Sequence, residues 1–282
     1  MHFVHRIFPL LLATLTTSHS SHAHAHTPEF KGPYLGQPSP GLTPQPFAPG
    51  VISTDRHLES EVLFLPNMTE LSFTRYGGEY GRGTLMAMQY TSNNWRWKTV
   101  PADEASAYQS RYSPPVSEIK KMAPFEDIPI IGYARSAADT IFFYVLNFDD
   151  GSGHLSYSRR VNGKYETPIK MSKAVNKGKY IAHPFVAPDE SYLMWDAEKD
   201  GENTPDIYIS FRQPDGNWGE AINMGDKINT PLYEQRPKVT PDGKYLFFWR
   251  GETKTREDGS RYFIGGPYWV DAQIIEQFRP KL

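Results

Sequence analysis

The chain has 282 residues, no Cys, 22 Gly, 24 Pro, 6 Trp, 17 Tyr and 16 Phe. The lack of Cys excludes disulfides, thiolate metal sites, a Cys nucleophile and a lipidated N-terminal Cys, and a formal net charge of −2 lacks the basic excess of a nucleic-acid binder. A hydrophobic content of 39% supports a packed core, while Gly and Pro, about one residue in six, favour short strands joined by turns.

Residues 1–25 read as a secretory signal peptide. His5 and Arg6 precede an apolar stretch from Ile7 to Leu15, and small residues around Ala23 and Ala25 offer cleavage sites. The stretch is too short to span a bilayer, and no other segment approaches spanning length. The expected location is therefore periplasmic or secreted, with no lipoprotein anchor and no transmembrane segment in the mature protein. The alternating His22, His24 and His26 read as a polar cleavage region rather than a metal site.

Residues 26–56 are dense in Pro and Gly and cannot be helical. Tyr34, Leu35, Phe47, Val51 and Ile52 are too apolar for a free tether. The segment is expected to lie along the body of the fold.

Residues 57–282 carry an internal repeat. Pro188-Asp189-Glu190-Ser191-Tyr192-Leu193-Met194-Trp195 matches Pro241-Asp242-Gly243-Lys244-Tyr245-Leu246-Phe247-Phe248 at an offset of 53. His183-Pro184 matches Arg236-Pro237 at the same offset, and Asp139–Phe143 matches Ser191–Trp195 at 52. Pro66 with Leu71–Arg75 makes a weaker fourth copy. Each copy predicts a strand, a Pro-Asp turn, a β-rich run, a polar loop and a third strand. Asn93-Asn94-Trp95, Asn162-Gly163-Lys164-Tyr165 and Asp215-Gly216-Asn217-Trp218 add a hairpin signal and a fourth strand. Four strands per unit of about fifty residues is the pattern of a β-propeller blade. The predicted fold is all-β, a propeller of four-stranded antiparallel blades. Four repeats are readable. Five or six blades are expected if the N-terminal segment and residues 101–127 contribute strands. The fair helix candidate is Asp271 to Gln277.

These runs, with Asp206–Arg212 and Asn223–Thr230 between them, resemble the Pro-Asp-type, WD40-like (TolB-like) β-propeller repeats of bacterial envelope proteins. Gly32-Pro33-Tyr34-Leu35-Gly36-Gln37, Phe47-Ala48-Pro49-Gly50 and Tyr268-Trp269-Val270-Asp271-Ala272 are similar to stand-alone secreted members of that group. The resemblance spans about 32–282 and is strongest from 139 to 275. It speaks to fold more than to function.

Corresponding repeat positions nominate candidate binding residues at a central channel. One set is Glu59, Glu61, His183, Glu234 and Arg236; the other is Arg75, Asp196 and Arg250. In register, each set would ring the axis. Such residues suit a sugar or peptide ligand, or acid–base work, but a self-neutralising polar lining would look the same. There is no G-x-S-x-G, H-E-x-x-H or phosphate-binding Gly loop. His57, His154 and His183 fall in different repeat contexts, and the Asp-rich loops near 149–153 and 200–206 lack EF-hand spacing. No catalytic residue, metal ligand or cofactor is assigned. Trp195 and Trp249 read as inter-blade core.

The leading expectation is an exported binding or interaction module of the cell envelope, with an envelope protein, carbohydrate or peptide as partner. The alternative is a carbohydrate-active enzyme, a lyase or hydrolase, using His183 with Glu61, Glu234 and Arg236. A third reading is a structural or sensor domain of an envelope complex.

Overall fold

The computed structural model describes residues 30–199, 201 and 203–281. The segment read as a signal peptide lies outside them. The N-terminal segment supplies β1 (Phe30–Lys31) and β2 (Gln45–Pro46). A first sheet follows: β3 (Leu58–Glu59), β4 (Leu63–Phe64), β5 (Glu70–Tyr76), β6 (Thr84–Thr91) and β7 (Asn94–Lys98). Two short helices, α1 (Ala105–Gln109) and α2 (Val116–Ile119), lead to a second sheet. This holds β8 (Gly132–Arg135), β9 (Ile141–Leu146) and β10 (Gly153–Ser158). Its fourth strand is β13 (Ile169–Lys170), reached after a separate hairpin of β11 (Arg160–Val161) and β12 (Lys164–Tyr165). A third sheet orders β14 (Lys179–Val186), β15 (Tyr192–Glu198), β16 (Pro205–Phe211) and β17 (Ile222–Asn223). After α3 (Gly225–Ile228), β18 (Tyr233–Val239), β19 (Tyr245–Thr255) and β20 (Arg261–Asp271) form the last sheet, and a 3₁₀ helix, Ala272–Phe278, ends the fold.

The chain is mostly β: the second and third sheets are four-stranded antiparallel meanders, and the first and last join through β3 and β20 into one ten-stranded sheet. The turn between the first two long strands repeats in detail. Met68, Asp139, Glu190 and Gly243 each sit in the left-handed region, with φ of 59°, 61°, 59° and 75°. In three of the turns an Asn or Asp three residues before the strand accepts the backbone N–H of the residue two further on: Asn67 from Thr69, Asp189 from Ser191 and Asp242 from Lys244. Polar caps two residues apart thus tighten the same turn three times over.

Two expectations need correction. Residues 101–127 form no strand; they carry α1 and α2 instead. Among the described residues this insert accordingly adds no further sheet. Ile119 and Phe125 pack on Ile141 and Phe143 of the second sheet, while α1 is tied to the first sheet through Glu70. This carboxylate accepts from Lys98 at 3.2 Å, from Arg111 at 3.2 Å and from the Tyr108 hydroxyl. The helical insert thus bridges the first and second sheets. Helix is also less scarce than Asp271–Gln277 alone suggested.

The last sheet takes its fourth strand from the far end of the chain. β2 pairs antiparallel with β20, Gln45 opposite Trp269 and Pro46 opposite Tyr268. β20 also touches β3 in parallel at Gly265 and Leu58, and the Trp249 indole N–H donates to the Glu59 carbonyl at 2.8 Å. Tyr34, Phe47 and Ile52 of the N-terminal segment are buried with Phe64, Phe247 and Trp269 in one cluster. The burial of so many aromatics explains why this Pro-rich segment is held: each large ring removed from water contributes on the order of 2 kcal/mol. Separate clusters lie between the second and third sheets, around Trp195 and Tyr144, and between the third and fourth, around Met194 and Phe248.

Candidate functional site

The inner strands of three sheets share an irregularity. Ala182 pairs with Asp196 and Phe185 with Met194, so β14 carries one extra residue at His183-Pro184. Gln235 pairs with Trp249 and Lys238 with Phe247, so β18 carries one at Arg236-Pro237. In the first sheet, Glu59 pairs with Arg75 and Leu63 with Ser72, which places the extra residue in the Ser60–Val62 break. His183 and Arg236 hold φ of 48° and 58°. Left-handed backbone at a non-Gly residue costs on the order of 1–3 kcal/mol, and β-bulges re-aim side chains. Here the bulges turn Glu61, His183 and Arg236 to one centre.

There the side chains meet across sheets. His183 Nδ1 lies 2.9 Å from Asp196 Oδ2, and the Arg236 backbone N–H donates to the same oxygen at 2.9 Å. Arg236 Nη1 lies 3.4 Å from Glu61 Oε1. The Tyr144 ring, from the second sheet, stands edge-on to the His183 ring at 5.7 Å. All four sheets therefore contribute. With Nδ1 facing the carboxylate, Nδ1 carries the donated proton and the Nε2 edge of the ring lies outside that bond. Asp196 is 1% exposed while Arg236 keeps 42%, so the carboxylate is fixed and the guanidinium is available.

The electrostatics agree. Burial works against the Glu61 charge, but Arg236 and Lys238 outweigh it and hold the carboxyl below its ordinary value. Burial lowers Lys238, and Arg236 adds to that against the pull of Glu61. Burial opposes the Arg236 charge too, but Glu61 and Asp196 raise its pKa and keep it a cation. Burial pushes the Tyr144 phenol up to about 12, so it stays a neutral hydroxyl.

The other four candidates behave differently. Glu59 accepts from Thr54 N at 3.2 Å, Thr54 Oγ1 at 2.7 Å and Arg75 Nε at 2.9 Å. Glu234 accepts from Thr230 N at 3.0 Å, Thr230 Oγ1 at 2.7 Å and Arg250 Nε at 2.7 Å. Arg75 also binds the Val51 and Ile52 carbonyls, and Arg250 the Ile228 carbonyl. Burial pushes both carboxyls up against these hydrogen bonds. These are two copies of one saturated Thr–Glu–Arg clip. The expected pair of separate rings is thus not what the sheets build: Glu59 with Arg75 and Glu234 with Arg250 close within their own sheets, and Glu61, His183, Asp196 and Arg236 converge. A cavity of about 760 Å³ lies over the clips, lined by Arg75, Arg250, His57 and Lys254. Although it is the larger opening, both clip arginines are already committed there. A cleft of about 350 Å³ opens at Arg236 and Glu61.

Sequence reading missed Tyr144 and Lys238. The 52-residue offset that aligns Phe143 with Trp195 also aligns Tyr144 with Asp196. The offset of 53 sets Lys238 opposite Phe185, a charge where the other copy is aromatic. No group of three or more potential metal ligands is found among the described residues.

No family model matches the chain, and no curated protein does. Among solved structures it is similar to TolB from Acinetobacter baumannii, at 12% identity and a TM-score of 0.30 over 75% of this chain and 42% of that one. The NanB sialidase from Streptococcus pneumoniae follows at 10% identity and 0.34, over 74% and 30%. An oligogalacturonate lyase in complex with manganese gives 12% and 0.28, over 76% and 48%. The chain spans under half the length of each of these three. The fold description therefore rests on sheet topology.

Proposed function

We propose that this protein is an exported binding module of the cell envelope, a β-propeller whose four sheets are blades closed by β2, with a ligand site at the centre. The observation that carries the reading is the contrast between unsaturated and saturated polar groups on the same inner strands. Arg236 and the Nε2 edge of His183 are held by left-handed bulges with bonding capacity to spare. Strain of that kind persists where the surroundings over-determine it, and it concentrates at functional sites. Export is the expectation raised by residues 1–25. Calorimetric titration of the purified protein with sugars, uronates, amino acids and short peptides tests the reading. Binding that Arg236→Ala abolishes, in a variant with unchanged circular dichroism, is expected. Failure of every ligand class would sink it.

The enzymatic alternative keeps one favourable observation, the His183–Asp196 pair, which orients a base as acid–base chemistry requires. Glu234 is no longer available to that scheme, because Thr230 and Arg250 occupy it. Product formation from a polysaccharide panel, lost in His183→Ala, would favour this reading over simple binding.

A further inference from the structure

We propose that the cleft beside the Arg236–Glu61 pair binds a free α-amino acid with an apolar side chain. This rests on the centre being a ligand site and names the ligand class. The cleft, about 350 Å³, lies within the size range of small-molecule sites. Its lining is mixed: Arg236 and Glu61 bring charge, Leu63, Phe73, Leu85 and Phe263 bring apolar surface, and serine, threonine and glutamine side chains add neutral polar groups. Phe73 and Leu63 are buried, whereas Phe263 is 50% exposed and stands edge-on to Tyr233, so it offers apolar surface at the cleft.

Charge selects the head group. Arg236 and Glu61 touch through a single contact of 3.4 Å, which leaves most guanidinium N–H groups unused and room on the carboxylate for a second donor. A simple carboxylic acid would gain Arg236 but face Glu61, with Asp196 behind it. A simple amine would gain Glu61 but face Arg236, with Lys238 behind it. A zwitterion meets neither penalty. Its α-carboxylate takes the guanidinium through paired hydrogen bonds, and its α-ammonium takes Glu61. One loose ion pair is exchanged for two charge-assisted contacts without adding net charge. The side chain then leaves water for the apolar wall, which favours Leu or Phe over Gly.

The test is titration calorimetry on the purified full-length protein with L-phenylalanine, L-leucine, glycine, 3-phenylpropionate, phenethylamine and L-phenylalaninamide. The two apolar amino acids are expected to bind, and each of the other probes to bind at least about tenfold more weakly. Glu61→Gln, nearly isosteric, should weaken L-phenylalanine by about tenfold or more and close the gap to 3-phenylpropionate. Arg236→Lys should close the gap to L-phenylalaninamide. The proposal is overturned if 3-phenylpropionate matches L-phenylalanine in the wild-type protein, or if neither amino acid binds. Equal binding of the amide also overturns it and reassigns the cleft to a peptide N-terminus. Should a neutral oligosaccharide bind through Arg236 while no amino acid does, the amino-acid assignment falls and the central-site reading stands.

Discussion

Glu59 and Glu61 sit two residues apart, as do Glu234 and Arg236, yet each pair splits between two kinds of environment. At Glu59 and Glu234 the carboxylate is fully buried and accepts from a Thr backbone, a Thr hydroxyl and an Arg sixteen residues on. At Glu61 and Arg236, one contact of 3.4 Å spans two sheets, and the guanidinium stays 42% exposed. The same residue types thus serve two ends. The clips occur where the first and last sheets meet and where the N-terminal segment must be held, since Arg75 binds its carbonyls. In the third sheet, the positions 53 residues before Glu234 and Arg250 are Ile181 and Ala197, both buried, so no clip forms there. The clip carboxylates have their bonds satisfied and organise the fold, whereas Arg236 is held in strain with bonding capacity to spare.

The largest effect should come from breaking a clip. Glu234→Ala leaves Arg250, whose side chain is 11% exposed, as an uncompensated buried charge. Urea unfolding should show a loss of about 3–5 kcal/mol. A loss below 1 kcal/mol would mean that the clip does not organise the junction.

Next is the tie that anchors α1. The Glu70 carboxyl is held at about 2, below its usual 4.5: burial opposes this, but hydrogen bonds from Tyr108, Arg111 and Lys98 prevail. A carboxyl depressed in the folded state contributes stability that is fully present above pH 4.5 and is lost as pH falls towards 2. The full shift is discounted because Arg111 and Lys98 are 42% and 33% exposed. About 2 kcal/mol is expected to disappear over that window, and Glu70→Gln should flatten the pH profile of urea unfolding there.

A smaller change follows at the seam. Trp249→Phe removes the 2.8 Å bond to the Glu59 carbonyl but keeps much of the ring packing. The cost should be about 1–2 kcal/mol, read as a lowered denaturation midpoint with an unchanged m-value.

The smallest stability effect sharpens the contrast most. Arg236→Gly removes a half-exposed cation and relieves a residue at φ 58°. Unfolding free energy should shift by no more than about 1 kcal/mol in either direction, while the binding proposed for the central site is lost. A destabilisation as large as that of Glu234→Ala would place Arg236 with the clips.

The repeat was legible because it is local. Pro-Asp turns, alternating strands and aromatic runs declare themselves within a few residues, and the left-handed turn positions recur where the matching sequence puts them. His183-Pro184 and Arg236-Pro237 are likewise a matched pair in the sequence, at an offset of 53. Residues 101–127 resisted reading because their hydrophobics are spaced for two short helical turns that gain stability only against neighbouring sheets.

Composition and pattern alone established a Cys-free, strand-rich chain with a repeat of about fifty residues, polar groups at equivalent strand positions, and an apolar N-terminal segment unsuited to solvent. Tertiary structure decided which polar groups close on each other and which stay open. It also decided that the last sheet is completed by residues more than 200 positions away. Pairings at that distance leave no local trace in the sequence, because their free energy comes from surfaces that exist only once the sheets have formed.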